Sequence, residues 1–412
     1  MLDHIGRQAK ESARVLARSS AAERDHALLT SADAISGERD SILAANADDV
    51  DQAVAEGISG ALLDRLKLNP SRIEGMIAGL HSLAALPDPI GQVTAGFRRP
   101  NGLRFERIRA PLGVIAVIYE ARPNVTSDVA GLCLKSGNAA LLRGSSFALR
   151  SNLAIGGAVR RGCEAAGLPS DSVQVIEDTS REAARALMQA REYVDLLVPR
   201  GGAALIAAIE AEATVPYVID GAGNCHIYVD VAADLEKAAE ITVNAKTQRP
   251  GVCNAAEKLL VHEAVASEFL PKVVKLLADA GVEVRGDERA RELAAGIATT
   301  TAEDWPREYL DLIMAIRVVG SLDQAIEHIR RFGSGHTEAI ITNDLEAADR
   351  FVSEVDTAVV MVNASTRFTD GEEFGFGAEI GISTQKLHVR GPMGLEALTS
   401  ERWIVRGEGH LR

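Results

Sequence analysis

Apolar and polar positions change their period along the chain. Residues 1 to about 95 are Ala-rich with a helical repeat, as in Leu62-Leu63-Asp64-Arg65-Leu66-Lys67-Leu68, and Asn69-Pro70-Ser71 then stops one helix and caps the next. This part reads as scaffold. From Phe97 to Arg109 the residues alternate around Asn101-Gly102, which predicts a β-hairpin with mixed faces, the kind of element that reaches toward another subunit. Beyond Pro111 the pattern becomes strand–helix alternation. Val114–Tyr119, Ala139–Leu142, Val173–Ile176 and Val194–Val198 are predicted strands, with helices opening at Ser127, Ser146, Arg181 and Gly201-Gly202 between and after them. A second series starts at His226. It predicts strands at 226–229, 258–261, 312–319, 339–342 and 357–362, with helices at 234–246, 264–280, 322–332 and 345–354. Trp403–Arg406 is a short terminal strand that could pair with the hairpin. Strands separated by helices of 10 to 15 residues imply α/β units with parallel, doubly wound sheets.

At 412 residues the chain is too long for one core, so two or three domains are expected. A composition of 47% hydrophobic and 25% charged residues is that of an ordinary globular protein. The formal charge of −14 argues against nucleic acid as a partner. No apolar run approaches the ~18–20 residues of a membrane span, and the charged N-terminus lacks a signal-peptide core. Cys133, Cys163, Cys225 and Cys253 are far apart, without a CxxC pair, which signals neither a zinc site nor a disulfide framework and fits a reducing cytoplasm.

Candidate chemistry gathers at loops. In Asn244–Glu257 a helix runs into Pro250-Gly251, and Cys253 follows on a tight connection before the next strand, with Arg249 close by. A fixed backbone, partial exposure and a nearby cation suit a nucleophilic thiol; the alternative is a small buried cysteine. Ligands of doubly wound sheets bind beyond the strands' carboxyl ends, and three such ends stand out. Asn124 could donate its amide N–H to an oxyanion. Arg143-Gly144-Ser145-Ser146 combines a guanidinium, two hydroxyls and a helix N-terminus, and Gly201-Gly202 opens another helix. No GxGxxG fingerprint is present, and Gly375-Phe376-Gly377 reads as a turn.

Taken together, the chain resembles the aldehyde dehydrogenase superfamily, and within it the branch that reduces an acyl phosphate for proline biosynthesis. The markers are Tyr119-Glu120-Ala121-Arg122-Pro123-Asn124-Val125-Thr126, Gly223–Asp230, Asn363-Ala364-Ser365-Thr366-Arg367-Phe368 and the stretch Val319–Ile340. Phe332 departs from the family's usual His or Tyr. The resemblance implies an aldehyde dehydrogenase-like α/β fold. Residues 1–96 and 110–225 would be a nucleotide-binding domain and 226–362 a catalytic domain, with the hairpin 97–109 and residues 385–412 forming a small oligomerisation β-element in a homo-oligomer.

It further implies NADPH-dependent reduction of L-glutamyl 5-phosphate to the semialdehyde through a thioester on Cys253, with Asn124 and the Cys253 backbone N–H facing the oxyanion. Arg143 would stand at the adenine ribose, where Ser145 and Ser146 beside it favour NADP(H); a surface ion pair is the alternative for Arg143. Gly201 and Gly202 would lie near the pyrophosphate and Glu308 at the nicotinamide ribose. Arg122, His336, Asn363, Ser365, Thr366 and Arg367 would hold the substrate; a structural role is equally open for His336. Hydrolytic relatives use a Glu to activate water, and the matching stretch here offers only the shorter Asp220. A glutamate 5-kinase is the partner implied for supplying the substrate. Two rival readings are a hydrolytic aldehyde dehydrogenase and a catalytically silent nucleotide-binding relative.

Overall fold

The structure, a computed structural model, describes residues 2–412, apart from the side chains of Ala61 and Ala203. The chain forms two compact units, the first built from residues up to Ile219 with Gly375–Gly381 and Met393–Arg412, the second from Asp220–Phe374 and Ile382–Pro392.

The first unit opens with five helices: α1 Leu2–Leu16, α2 Ala21–Gly37, α3 Arg39–Ala55, α4 Gly60–Leu66 and α5 Pro70–Ala85. Two antiparallel strands follow, β1 Val93–Arg98 and β2 Arg104–Pro111. The α/β part contains β3 Val114–Tyr119, α6 Asn124–Lys135, β4 Ala139–Arg143, α7 Leu149–Ala165, β5 Val173–Val175, α8 Arg181–Met188, β6 Leu196–Arg200 and α9 Ala203–Glu212. Its parallel sheet has the order β5-β4-β3-β6. Every residue of β3 is buried, as a central strand covered on both faces requires.

Helix α6 starts at Asn124, not Ser127. Pro123 already sits in the right-handed helical region, which its ring favours, and the Ser127 hydroxyl donates back to the Asn124 carbonyl at 2.9 Å from inside the first turn. The expected cap at Ser146 is also displaced. Ser145 caps a short 3₁₀ turn over Ser146–Ala148, and α7 begins after it with its free N–H groups met by Asp49 of α3, which accepts from the Ser151 N–H at 2.8 Å. A remote, buried carboxylate thus satisfies that helix end.

Helix α2 packs against α5 and α7. Where α2 and α7 cross, a methyl group at Gly162 would lie 2.4 Å from the Ser31 Cα, and the Thr30 hydroxyl donates to the Gly162 carbonyl at 2.8 Å. The terminal strand β16 Thr399–Arg406 adds to β2 and completes a three-stranded antiparallel sheet. On that sheet Phe97 stacks on Phe105 at 5.0 Å and meets Trp403 edge-on at 5.9 Å.

The second unit contains β7 Cys225–Val229, α10 Leu235–Thr247, β8 Ala256–His262, α11 Glu263–Asp279, β9 Glu283–Gly286, α12 Glu288–Leu293, β10 Ala298–Thr299, β11 Ile313–Val319, α13 Leu322–Phe332, β12 Thr337–Ile341, α14 Leu345–Glu354 and β13 Val359–Val362. Its parallel sheet has the order β10-β9-β11-β8-β7-β12-β13. Strands β9 and β10, at one end of the sheet, escape the sequence pattern because they are short and lack a continuous apolar run. Strand β12 begins two residues before the apolar run because Glu338 is buried inside it. The short pair β14 Ile382–Ser383 and β15 Gly391–Pro392 completes this unit, and β16 Thr399–Arg406 returns to the first. The break between units therefore falls before Asp220 rather than after Cys225, because Asp220 pairs with Ser383 and the Gly221 N–H donates to the Ile382 carbonyl at 3.2 Å. Residues 385–412 likewise divide between the units instead of forming one element. Among the described residues no helix is long and apolar enough to cross a membrane.

The α2–α7 crossing generates a prediction. Gly162→Ala forces the two helix backbones apart and should destabilise the protein by about 1–3 kcal/mol. Urea unfolding followed by circular dichroism checks this; an unchanged midpoint contradicts the close crossing.

Candidate active site

The second unit holds the thiol. Helix α10 is capped at its start by Asp234 and stops before Pro250-Gly251, which cannot continue it. Cys253 follows on a turn closed by the Ala255 N–H donating to the Val252 carbonyl at 3.1 Å, and β8 begins three residues later. Cys253 is partly exposed, whereas Cys133, Cys163 and Cys225 are fully buried and burial pushes each of their thiols up. One of the four cysteines is therefore placed to react with a solute.

Three neighbours fix this turn. A methyl group at Gly223 would lie 1.5 Å from the Cys253 carbonyl oxygen, so the two backbones touch where any side chain would stand. The Cys225 thiol donates to the same oxygen at 3.2 Å. From the other side Arg367 donates to Gln248 at 2.7 Å and to the Asn254 carboxamide, while the Asn254 amide donates to the Thr369 carbonyl at 2.7 Å. Arg367 thus straddles the turn. Burial pulls its own guanidinium pKa down, Asp370 and Cys253 oppose that shift, and Arg249 reinforces it. The positive charge expected near the thiol comes from Arg367 as well as from the exposed Arg249.

Glu308 belongs to the same unit and accepts the Gly223 N–H at 2.7 Å, so the residue that props the thiol turn also holds this carboxylate. Its second oxygen takes no hydrogen bond from the described residues, and burial raises its pKa despite the Gly223 bond. Asp220 accepts the Ile382 N–H at 3.1 Å.

The expected substrate residues of this unit differ in how open they are. Asn363 is exposed, with φ 56°, yet its carboxamide makes a paired contact with the Thr342 backbone, accepting at 2.9 Å and donating at 2.8 Å. Ser365 is buried and caps the turn leading to Arg367, and Thr366 is fully buried. His336 is fully buried; its Nδ1 lies 2.8 Å from the Thr337 hydroxyl and 3.9 Å from the Cys225 sulfur, and its Nε2 has no partner. Burial lowers its pKa to about 4, so near neutral pH it is an uncharged imidazole. His336 does lie in the loop just before β12, but that loop turns its side chain into the interior.

The strand ends of the first unit carry the other candidates. Asn124 is exposed and gives one amide hydrogen to Asp128 at 2.9 Å. Burial raises the Asp128 carboxyl to about 6, against the pull of Asn124, Ser127 and Arg200. Arg122 lies in the connection before α6, where its carbonyl accepts the Val125 N–H at 3.1 Å. Arg143 donates to the Thr179 and Ser180 carbonyls, while its buried Nε has no partner. Ser146 is exposed and Ser145 partly so. Gly202 gives its N–H to Glu120 at 2.7 Å and Gly201 packs beside that carboxylate, so an internal acid holds the N-terminus of α9. A dinucleotide fits these ends in two respects: the orphaned Arg143 Nε suits a phosphate oxygen, and a diphosphate could replace the Glu120 carboxylate on Gly202.

Sequence reasoning missed the buried charges behind the thiol. Cross-strand register places Glu338 beside His226 and His226 beside Lys258, one row across β12, β7 and β8. Glu338 accepts from the His226 backbone and ring nitrogens at 2.7 and 2.9 Å. Burial raises Glu338, lowers His226 to about 3 and lowers Lys258 to about 8. Lys246 and Glu257, both fully buried, pair at 3.3 Å. A Glu-Lys pair near the start of a strand gives no local sign that both side chains are buried. Gly223 did have a signal, a glycine two residues before a buried cysteine, but its meaning depends on what packs against it.

The sequence pattern of the aldehyde dehydrogenase family matches residues 1–303. The chain is 56% identical over 407 residues to the gamma-glutamyl phosphate reductase of Moorella thermoacetica, covering 99% of this chain and 97% of that one. It is 54% identical over 408 residues to the protein of the same name from Thermobifida fusca, covering 99% and 98%. The crystal structure of gamma-glutamyl phosphate reductase from Thermotoga maritima superposes with a TM-score of 0.98 at 50% identity, covering 100% of this chain and 99% of that one.

Two expectations follow from the geometry. Gly223→Ala should keep the secondary structure yet lower kcat about 100-fold, since shifts near 1 Å at a nucleophile have effects of that size; steady-state kinetics beside circular dichroism decide it. Asp128 is held above the ordinary carboxyl pKa, so its cost to the fold appears as pH rises from about 4 to about 6 and stays constant above that. Asp128→Asn should therefore gain stability relative to wild type, by on the order of 1–2 kcal/mol, between pH 4.5 and pH 8. Urea unfolding at both pH values measures it, and a constant difference rules out the raised carboxyl.

Proposed function

The chain belongs to the aldehyde dehydrogenase family, and from that premise we propose that it reduces L-glutamyl 5-phosphate to L-glutamate 5-semialdehyde with release of phosphate, through a thioester on Cys253. The observation that carries the mechanism is the partly exposed Cys253 on a turn held by Gly223, Cys225 and Arg367.

The Cys253 thiolate attacks the acyl carbon, a C–S bond forms, and the C–O bond to phosphate breaks. Arg367 and Arg249 favour the thiolate and phosphate departure by their charge. The backbone N–H of Cys253 and the amide of Asn124, which commits one hydrogen to Asp128, are the proposed oxyanion donors; one such donor is typically worth about 3–4 kcal/mol. The nicotinamide cofactor of this family supplies, when bound, the hydride that reduces the thioester carbon. Cys253 then leaves as a thiolate and the aldehyde is released.

NADP(H) is the form we infer. The partnerless Nε of Arg143, with Ser145 and Ser146 nearby in sequence, suits a 2′-phosphate. Gly201 and Gly202 would face the diphosphate in place of Glu120, and the second oxygen of Glu308 would accept from the nicotinamide ribose. Arg122 and Arg367 are the proposed anion holders for substrate. Asn363, Ser365 and Thr366 shape the Arg367 loop, and His336 supports the thiol turn from behind Cys225. Asp220, shorter than the glutamate of hydrolytic relatives, has one oxygen engaged by the Ile382 N–H, which favours phosphate release over hydrolysis. The acyl phosphate is labile, so a glutamate 5-kinase is the natural supplier. The three-stranded sheet, with Phe97, Trp403 and Val405 exposed, is the proposed contact for a homo-oligomer.

The reverse reaction tests the proposal. With glutamate semialdehyde and NADP, NADPH should form only when phosphate is added, and Cys253→Ser should lower the rate at least 1000-fold. NADPH formation without phosphate would identify a hydrolytic enzyme instead.

A further inference from the structure

Residues 307–310 make no regular structure, yet each is tied to a particular partner. The Arg307 carbonyl accepts from Lys258 at 2.7 Å, and Glu308 accepts the Gly223 N–H at 2.7 Å. The Tyr309 and Leu310 N–H groups donate to the two oxygens of Glu257 at 3.1 and 3.3 Å. Leu310 has φ 56°, a conformation that costs a side-chain-bearing residue energy and persists only where its surroundings impose it. The Glu257 carboxylate takes both consecutive N–H groups and is the evident restraint.

Glu257 also borders the thiol turn from outside it. It is the second residue of the strand that leaves that turn, four residues after Cys253, while Lys246 lies on the last turn of the helix that enters it. Their side chains pair at 3.3 Å, and both are fully buried. The ion pair therefore joins the two stems of the cysteine loop, and its carboxylate reaches on to the segment that carries Glu308.

We propose that Glu257, anchored by Lys246, is a positioning residue that aligns the 307–310 segment with the thiol turn, and so sets how tightly Glu308 holds the nicotinamide ribose. This rests on the reading of Glu308 given above. Glu257 touches neither substrate nor cofactor; it acts through the two backbone N–H groups that follow Glu308. The thiol turn keeps its own supports at Gly223, Cys225 and Arg367, so losing the carboxylate weakens dinucleotide binding without disturbing Cys253.

The test uses the full-length protein and NADPH, titrated by quenching of the tryptophan fluorescence, which includes Trp305 three residues before Glu308. Glu257→Gln keeps the shape but turns an NH₂ toward one of the two N–H donors. It should raise the NADPH Kd at least 10-fold while the rate of Cys253 alkylation by iodoacetamide stays within about 2-fold. The double variant Lys246→Met/Glu257→Gln removes the stranded lysine charge as well. It should recover the thermal stability lost in Glu257→Gln but not the affinity. A Kd within 2-fold of wild type overturns the proposal. So does a joint change in Kd and alkylation rate, because that is general loosening rather than positioning. Glu308→Gln separates the two levels: if it leaves the Kd unchanged, the Glu308 assignment itself is wrong, whereas weakening by Glu308→Gln but not by Glu257→Gln removes Glu257 alone.

Discussion

A carbonyl oxygen occupies the place where residue 223 would otherwise carry a side chain, and the chemistry of the second unit depends on that contact. The approach of Gly223 to Cys253 brings the start of β7 against the turn before β8, so neighbouring strands of one sheet position a thiol that lies in neither. The Cys225 thiol bonds the same carbonyl, and Gly223 turns its own N–H to Glu308. One glycine thus links the residue proposed to bond to substrate with the residue proposed to hold the cofactor. A backbone contact is stiffer than one made through long side chains, and a nucleophile that must meet a carbonyl carbon at near-bonding distance needs that stiffness.

The strands near this turn carry buried ionisable residues close to their starts. Glu338, His226 and Lys258 form a row across three adjacent strands, and Lys246 and Glu257 pair close by. Burying such groups is costly unless each meets an opposite charge or a hydrogen-bond donor. Here Glu257 meets two backbone N–H groups and a lysine, Glu338 meets His226, and Lys258 meets a carbonyl and the face of Tyr309 at 4.4 Å. The cost is tolerated because such contacts fix a loop with no regular backbone hydrogen bonds of its own. An apolar interior would have left the 307–310 segment without a register.

In the first unit, two helix N-termini are met by carboxylates from within the protein, Asp49 at α7 and Glu120 at α9. The Asp49 contact is buried and completes the fold. The Glu120 contact lies at the surface, beside the glycine pair proposed to face the diphosphate, so an anionic ligand there would compete with an internal acid. Local sequence could not tell the two helix ends apart, because both acids lie far from the helices they serve.

What the chain determined by itself was the order of its elements and the place of its reactive sulfur. Continuous apolar runs such as Val114–Tyr119 had to become covered strands, Asn101-Gly102 had to turn a hairpin, and Pro250-Gly251 had to end a helix just before Cys253, because these outcomes follow from local sterics and from the period of side-chain burial. The motifs around Asn124, Cys253 and Arg367 also marked the family. Tertiary structure alone decided which polar residues turned inward. His336 and Thr366 stood as substrate-holding candidates until the fold buried them, Glu257 and Lys246 carried no assignment before neighbouring strands enclosed both, and Asn363 stood as a substrate donor until its carboxamide met the Thr342 backbone. The physical reason is that the state of a polar side chain depends on partners remote in sequence. Period and propensity carry no information about those partners before the sheet has formed.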